Sequence, residues 1–303
     1  MATRELRRAP RILPLYARAL APLLPGASHL PGVPGGGGAL PDLELTLSGV
    51  RVDLKHLADY HHVCSFSAHE GLPPTYPHVL AFPLQLALIT DGHFPFAAVG
   101  LVHIANRITQ HRPIGRQERL DFRVHPTPLG DHPRGRSFSL VTEARVAGEL
   151  VWKEISTMLH RERRIGPAAV NDERPVVPPG PRAAEWRLPA DLGRRYAACS
   201  GDRNPIHLHP LSAKALGFPR AIAHGMWTMA RCVAALEHRL PEVFSIDVRF
   251  RAPILLPGTV AFSKTVADEG ICFSVTDPSG ERRHLDGWAH PGVDGAPQHQ
   301  EAL

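Results

Sequence analysis

Tyr196-Ala-Ala-Cys-Ser-Gly-Asp202-Arg-Asn204-Pro205-Ile-His207, followed after a short gap by Ile222-Ala-His224-Gly225-Met226, is the stretch from which the rest of this chain can be read. It sets a carboxylate and an imidazole five residues apart. Five helical steps would separate them by about 140° around the axis, so one helix face cannot carry both. Asn204 precedes a proline, which biases it away from the helical region. The spacing predicts a loop that turns Asp202 and His207 toward one point. A carboxylate and a neutral imidazole sharing one water form a general acid/base pair near neutral pH.

Downstream, residues 223–239 lack Gly and Pro after Gly225 and are apolar nearly all round, through Met226, Trp227, Met229, Val233 and Leu236. That pattern predicts a buried helix. After Pro241 come four β-branched and aromatic runs, at 244–250, 260–266, 271–275 and 284–288. Pro-Gly, Asp-Glu-Gly and Pro-Ser-Gly turns separate them, which predicts antiparallel connections.

The same order of signals occurs in the first half. The run from Asp53 through Tyr60 to Cys64 matches that from Leu188 through Tyr196 to Ser200. Pro77-His78 to Leu88 matches Ala223-His224 to Ala234, and Arg112-Pro113-Ile114 matches Ala252-Pro253-Ile254. Ser137 to Leu159 matches Gly270 to Ala289, two alternating runs with a turn between them. Four segments in matched order indicate a degenerate internal repeat. Aligning Tyr60 with Tyr196 places Phe66 where Asp202 stands, and the Asn-Pro-Ile-His segment has no counterpart. The first half therefore lacks this acid/base pair.

The Ser-Gly-Asp-x-Asn-Pro-Ile-His run, with Gly217-Phe218 and Ala-His-Gly-Met after it, resembles the signature of the MaoC-like R-specific enoyl-CoA hydratases and 3-hydroxyacyl-thioester dehydratases. The direct resemblance covers roughly residues 185–290 and a weaker one extends over the first half. It implies an α+β double hot dog, in which two antiparallel sheets, each wrapped on a long central helix, form one continuous sheet. Residues 1–41 then read as an N-terminal helix and flexible loop, 42–164 as a degenerate repeat, 165–183 as a linker, 184–290 as the catalytic repeat and 291–303 as a flexible tail. In double-hot-dog relatives a degenerate first half goes with a roomier acyl tunnel, and that role is expected here.

The resemblance also implies chemistry. Water addition to a 2-enoyl thioester places negative charge on the thioester oxygen, which oriented donors must meet. Gly225 opens the buried helix, where backbone N–H groups lack intrahelical partners and the dipole is favourable. Family analogy gives this N–H the oxyanion role. Asp202 and His207 would hold the water, with the division of labour between them open. Asn204 would orient the loop or the water, or serve only the turn. His224 would pack the helix start or touch substrate, and Arg251 would bind CoA phosphates or simply face solvent.

Composition narrows the classes. The chain has 303 residues and a formal net charge of +5, and all but four of its 34 basic residues are scattered arginines. That is not a nucleic-acid stripe, and a modest positive balance suits an anionic acyl-CoA or acyl carrier protein thioester. No apolar run approaches the ~20 residues of a membrane span. Arg4 to Arg11 followed by Ile12 to Leu24 superficially resembles a signal peptide, but Pro14 and Pro22 interrupt the apolar part; an amphipathic helix lying on the domain is expected instead. Cys64, Cys199, Cys232 and Cys272 form no C-x-x-C pair, so a reducing cytoplasm is the default.

Other chemistries have weaker support. His207 and His209, with His224 and Asp202, could be metal ligands, although the resemblance requires neither metal nor redox cofactor. Ser200 lacks a nucleophile elbow, and Gly35 to Gly38 lack the Lys-Ser/Thr of a phosphate loop. The expected function is a hydratase or dehydratase of acyl thioesters, and the resemblance leaves room for a homodimer. The alternatives are a hot-dog thioesterase and a non-catalytic acyl-thioester-binding subunit.

Overall fold

The computed structural model describes residues 1–23, 35, 37–68, 70–162 and 180–293. The flexible loop expected at the end of residues 1–41, the linker over 165–183 and the tail over 291–303 lie for the most part outside the described residues. The chain opens with β1 (Ala2–Leu6) and α1 (Ile12–Leu20). The first half continues through β2 (Leu43–Val50), α2 (Leu54–Cys64), α3 (Tyr76–Ile89), β3 (Leu101–Gln110), β4 (Leu120–Pro126), β5 (Gly130–His132), β6 (Gly135–Val146) and β7 (Glu149–Arg161). The second half runs β8 (Arg182–Leu188), α4 (Leu192–Ser200), α5 (Pro205–Leu208), α6 (Pro210–Ala215), α7 (Gly225–Leu236), β9 (Phe244–Phe250), β10 (Gly258–Ala267), β11 (Gly270–Thr276) and β12 (Arg283–Pro291).

All twelve strands join one sheet in the order β1-β2-β4-β6-β7-β3-β9-β12-β11-β10-β8, with β5 pairing β6 off this path. From the β3–β9 seam outward, corresponding strands of the two halves hold the same rank. This is the continuous sheet expected of a double hot dog. Across the seam Arg107 lies opposite Asp247, and its Nε donates to Asp247 Oδ1 at 2.6 Å. Two residues along, on the same face, Thr109 and Ser245 share a hydrogen bond. One buried apolar cluster contains residues of α3, α7 and both half-sheets.

The matched segments of the two halves end alike. Asp53 accepts from the Lys55 and His56 N–H groups and so caps α2. That helix stops at Ser65 with φ 61°, and α4 stops at Gly201 with φ 74°. The next residue is Phe66 in one half and Asp202 in the other. Phe66 is buried and stacked on Tyr60, and Tyr60 and Tyr196 approach each other at 6.3 Å between centroids.

The N-terminus holds a feature the sequence reading lacked. The helix expected after Arg11 forms, burying Leu15 and Ala19. Ahead of it, β1 pairs parallel to β2, from Ala2 opposite Leu43 to Leu6 opposite Leu47. One edge of the otherwise antiparallel sheet is therefore parallel. Five residues with mostly exposed side chains carry no alternating signal; the unpaired edge of β2 organises them. No helix among the described residues is long and apolar enough to cross a membrane.

Candidate active site

The site grows out of the end of α4. Gly201 takes the left-handed conformation that closes the helix, beside the Ile12 and Phe82 side chains, which a Cβ there would meet at ordinary contact distances of 3.5–3.6 Å. The chain then makes an Asx turn, with Asp202 Oδ1 accepting the Asn204 N–H at 3.1 Å. Asn204 in turn caps the single turn of α5 through the Ile206 N–H, and Pro205 stands at the favoured first position. The expected loop thus holds at 202–204, whereas His207 sits on one helical turn. That turn lies tight on α4, because a Cβ on Gly193 would collide with the His207 carbonyl.

Asp202, His207 and His224 converge, their ligand-type atoms all within 4.8 Å of one another. His207 Nδ1 lies 2.8 Å from the Ile222 carbonyl oxygen. A carbonyl only accepts, so Nδ1 carries the proton and Nε2 presents a lone pair. His224 Nε2 likewise donates to the Asp202 carbonyl at 3.0 Å, leaving its buried Nδ1 without a hydrogen-bond partner among the described residues. The two rings stack at 3.7 Å between centroids, 25° apart in plane.

Burial sets the protonation states. It pushes His224 down to about 3, helped by His207, and it pushes His207 below the ordinary histidine value against the opposing pull of Asp202. Burial alone would raise Asp202, but the His224 and His207 imidazoles, the Tyr16 hydroxyl and the Asn204 N–H together hold it below the usual carboxylate value. At neutral pH the site contains one carboxylate anion and two neutral imidazoles.

The same three side chains meet the composition of a small metal site, but their arrangement does not. Imidazole lone pairs lie in the ring plane, so two nearly parallel stacked rings aim theirs side by side rather than at one ion. His209 is not part of the cluster: it is exposed, and its Nδ1 accepts from the Leu211 N–H to cap α6.

The remaining expected residues are more dispersed. Gly225 does open α7, with His224 as its N-cap. A Cβ there would meet the Phe250 ring at 3.1–3.2 Å, so the glycine is first a matter of protein packing rather than only of room for substrate. Asn204 serves the turn. Arg251 is not a loose cation: its Nε donates to the buried Asp286 at 2.8 Å, and Arg283 holds the other oxygen of that carboxylate. This ion pair tethers the Arg251 guanidinium to the sheet.

Two groups escaped the sequence reading. Tyr16 of α1 donates to Asp202 Oδ1 at 2.7 Å. No local pattern marks it, since 186 residues separate the partners. The second is a buried polar network in the first half. His78, the counterpart of His224, contacts the fully buried Glu154 at 2.8 Å. Gln85 and Asn106 each donate to that carboxylate at 2.8 Å. The first half lacks the loop-borne pair, as Phe66 implies, yet it carries its own carboxylate–imidazole pair from β7 and α3. Strand alternation gives a signal for it, because Glu154 shares the inward face of β7 with Trp152 and Ser156. The network reaches toward the site through His103, 4.9 Å from the Phe250 ring and pushed down to about 4, chiefly by burial.

Comparison with known proteins identifies the family. Residues 172–281 match the family described as MaoC like domain. The 3-hydroxyacyl-thioester dehydratase X of Mycobacterium tuberculosis is 39% identical over 234 residues, 76% of this chain and 83% of that protein. The crystal structure of HtdX of Mycobacterium tuberculosis superposes with a TM-score of 0.73 at 35% identity, covering 82% of this chain and 99% of that one. A MaoC-like dehydratase from Phytophthora capsici shares the fold at a TM-score of 0.70 and 20% identity, over 84% of this chain and 97% of that one. The chain belongs to the MaoC-like family of hot-dog dehydratases.

Proposed function

We propose that the protein catalyses reversible water addition to a trans-2-enoyl thioester, giving the 3-hydroxyacyl thioester. The convergence of Asp202 and His207 carries this reading, since it offers two acceptors to one water. The relatives' names, a 3-hydroxyacyl-thioester dehydratase and a 3-hydroxybutyryl-CoA dehydratase among them, supply the substrate class. The R hand of the product follows from the motif's resemblance to the R-specific enzymes.

Protonation states constrain the mechanism. Asp202 is ionised and His207 Nε2 bears a lone pair, so neither holds a proton for the substrate at the start of hydration. We assign the base to His207, whose ordinary value lies nearer neutrality than that of a carboxylate. His207 takes one proton from water as the oxygen bonds to Cβ. The π electrons move through Cα to the thioester oxygen, where the first-turn N–H of α7 at Gly225 meets the charge. Asp202 orients the water and stabilises the imidazolium. The enolate then recovers its carbonyl as His207 returns the same proton to Cα. Dehydration reverses each step.

The test is an absorbance assay of the purified protein with trans-2-enoyl-CoA of graded chain length, run beside a thiol assay. Loss of enoyl absorbance without free thiol is expected. Thiol release without hydration would mean hydrolysis, and binding without turnover would mean a non-catalytic subunit. The same assay with acyl carrier protein thioesters separates the two carriers.

A further inference from the structure

Tyr16 lies outside the 172–281 segment that matches the family, on a helix attached to the opposite half of the molecule. We propose that Tyr16 is a positioning residue of the active site: α1 carries its hydroxyl across to Asp202 Oδ1, pinning that oxygen and reserving Oδ2 for the reacting water. The inference rests on the hydratase reading for its kinetic consequences, though not for its geometry.

The direction of the contact is fixed. The Arg203 N–H donates to the Tyr16 oxygen at 2.7 Å, and an N–H cannot accept. The hydroxyl proton is therefore free to point at Asp202 Oδ1, 2.7 Å away. Oδ1 also accepts the Asn204 N–H, so it has two donors. Among the described residues Oδ2 receives no hydrogen bond: His224 Nε2 stands 3.8 Å from it, and that nitrogen already donates to the Asp202 carbonyl. The carboxylate thus presents one occupied and one available oxygen.

The surroundings make Tyr16 distinctive. The titratable groups facing Asp202 are His207 from α5, His224 at the start of α7, Tyr196 from α4, His103 from β3 and Tyr16 itself. His207 and His224 spend their ring N–H groups on the Ile222 and Asp202 backbone carbonyls, so the hydroxyl of Tyr16 is the one side-chain donor seated on the carboxylate among the described residues. Burial, with Asp202 adding to it, pushes the Tyr16 hydroxyl well above the ordinary tyrosine value; it stays a donor throughout the working range. The helix that carries it is held at both ends. Pairing of β1 with β2 anchors its approach, and Leu15, Ala19 and the contact of Ile12 with Gly201 seat it on the body. Asp202 retains 29% side-chain exposure, which leaves a face open for substrate.

Tyr16→Phe removes the hydroxyl and keeps the ring. Losing one hydrogen bond to a charged group should raise the Asp202 pKa by about one unit and lower kcat about tenfold, with KM changing less than about twofold. Two measurements decide. The first is the pH profile of enoyl-CoA hydration, whose acid limb, set by protonation of the base His207, should move upward because the Asp202 carboxylate that raises His207 loses a donor sharing its charge. The second is a carbon-13 titration of the Asp202 carboxyl, assigned by its loss in Asp202→Asn, in wild type and Tyr16→Phe. Tyr16→Ala should move that titration in the same direction. An unmoved carboxyl titration in Tyr16→Phe would overturn the proposal, as would an unmoved acid limb with kcat intact. If the wild-type protein hydrates no enoyl thioester, the activity reading fails, and the carboxyl titration alone still decides the role of Tyr16.

Discussion

His224 stacks beneath His207 with 3.7 Å between ring centroids and donates its Nε2–H to the backbone carbonyl of Asp202. One side chain therefore braces both members of the proposed acid/base pair, one through its ring face and the other through its main chain. This brace explains why a histidine precedes Gly225 without requiring it to touch substrate.

The pair itself gives the first prediction. Asp202→Asn and His207→Ala should each reduce enoyl-CoA hydration by at least about 100-fold, the lower end of a general acid/base contribution. Asp202→Asn keeps the acceptor for the Tyr16 and Asn204 donors, so its fold should survive. Steady-state rates alongside circular dichroism check this, and near-wild-type turnover by either variant would remove it from the site.

Gly225 offers a separable test. Gly225→Val should abolish turnover, but the Phe250 ring stands where the new side chain must go. Combining it with Phe250→Leu should recover thermal stability without recovering rate if the glycine serves the thioester. Recovery of both would assign the glycine to packing alone.

Acid should destabilise the fold through the buried imidazoles. His224 falls from 6.5 to about 3 on folding, so the unfolded chain takes up the proton first as pH drops. The contribution of neutral His224 is complete above about pH 6.5 and is lost as the pH falls toward 3, at up to about 1.4 kcal/mol per pH unit. Asp202 and Glu154, also depressed, act with the same sign at lower pH. Urea midpoints should decline from pH 7 to pH 5, with a shallower slope in His224→Phe. Parallel slopes would show that His224 is not the titrating group.

Glu154 should be among the most sensitive positions in the first half. Glu154→Ala removes the acceptor for His78, Gln85 and Asn106 at once. Truncating one member of such a buried set costs about 3–5 kcal/mol. Glu154→Gln, which keeps an acceptor, should cost less. Chemical denaturation separates them, and equal small losses would mean that water fills the gap.

Much of the architecture was written locally. The buried helix from Gly225, the four strands after it and their turns follow from hydrophobic period and Gly/Pro punctuation, which act over a few residues. The convergence of Asp202 and His207 was legible for the same reason: a glycine stop, an Asx turn and an Asn-Pro step leave the backbone few paths. Order along the chain even exposed the repeat, and with it Phe66 as the residue displacing Asp202.

What the sequence could not supply were the partners of polar side chains. Tyr16 reaches Asp202 only because β1 joins the far sheet edge and α1 then crosses toward α4. Glu154 finds His78 only when α3 lies on the sheet, and Arg251 meets Asp286 only across paired strands. The sequence determined where the chain turns and which faces are apolar, since those depend on neighbours a few residues away. Tertiary structure decided which donor satisfies which buried acceptor, since that depends on atoms brought together from 35 to 186 residues apart.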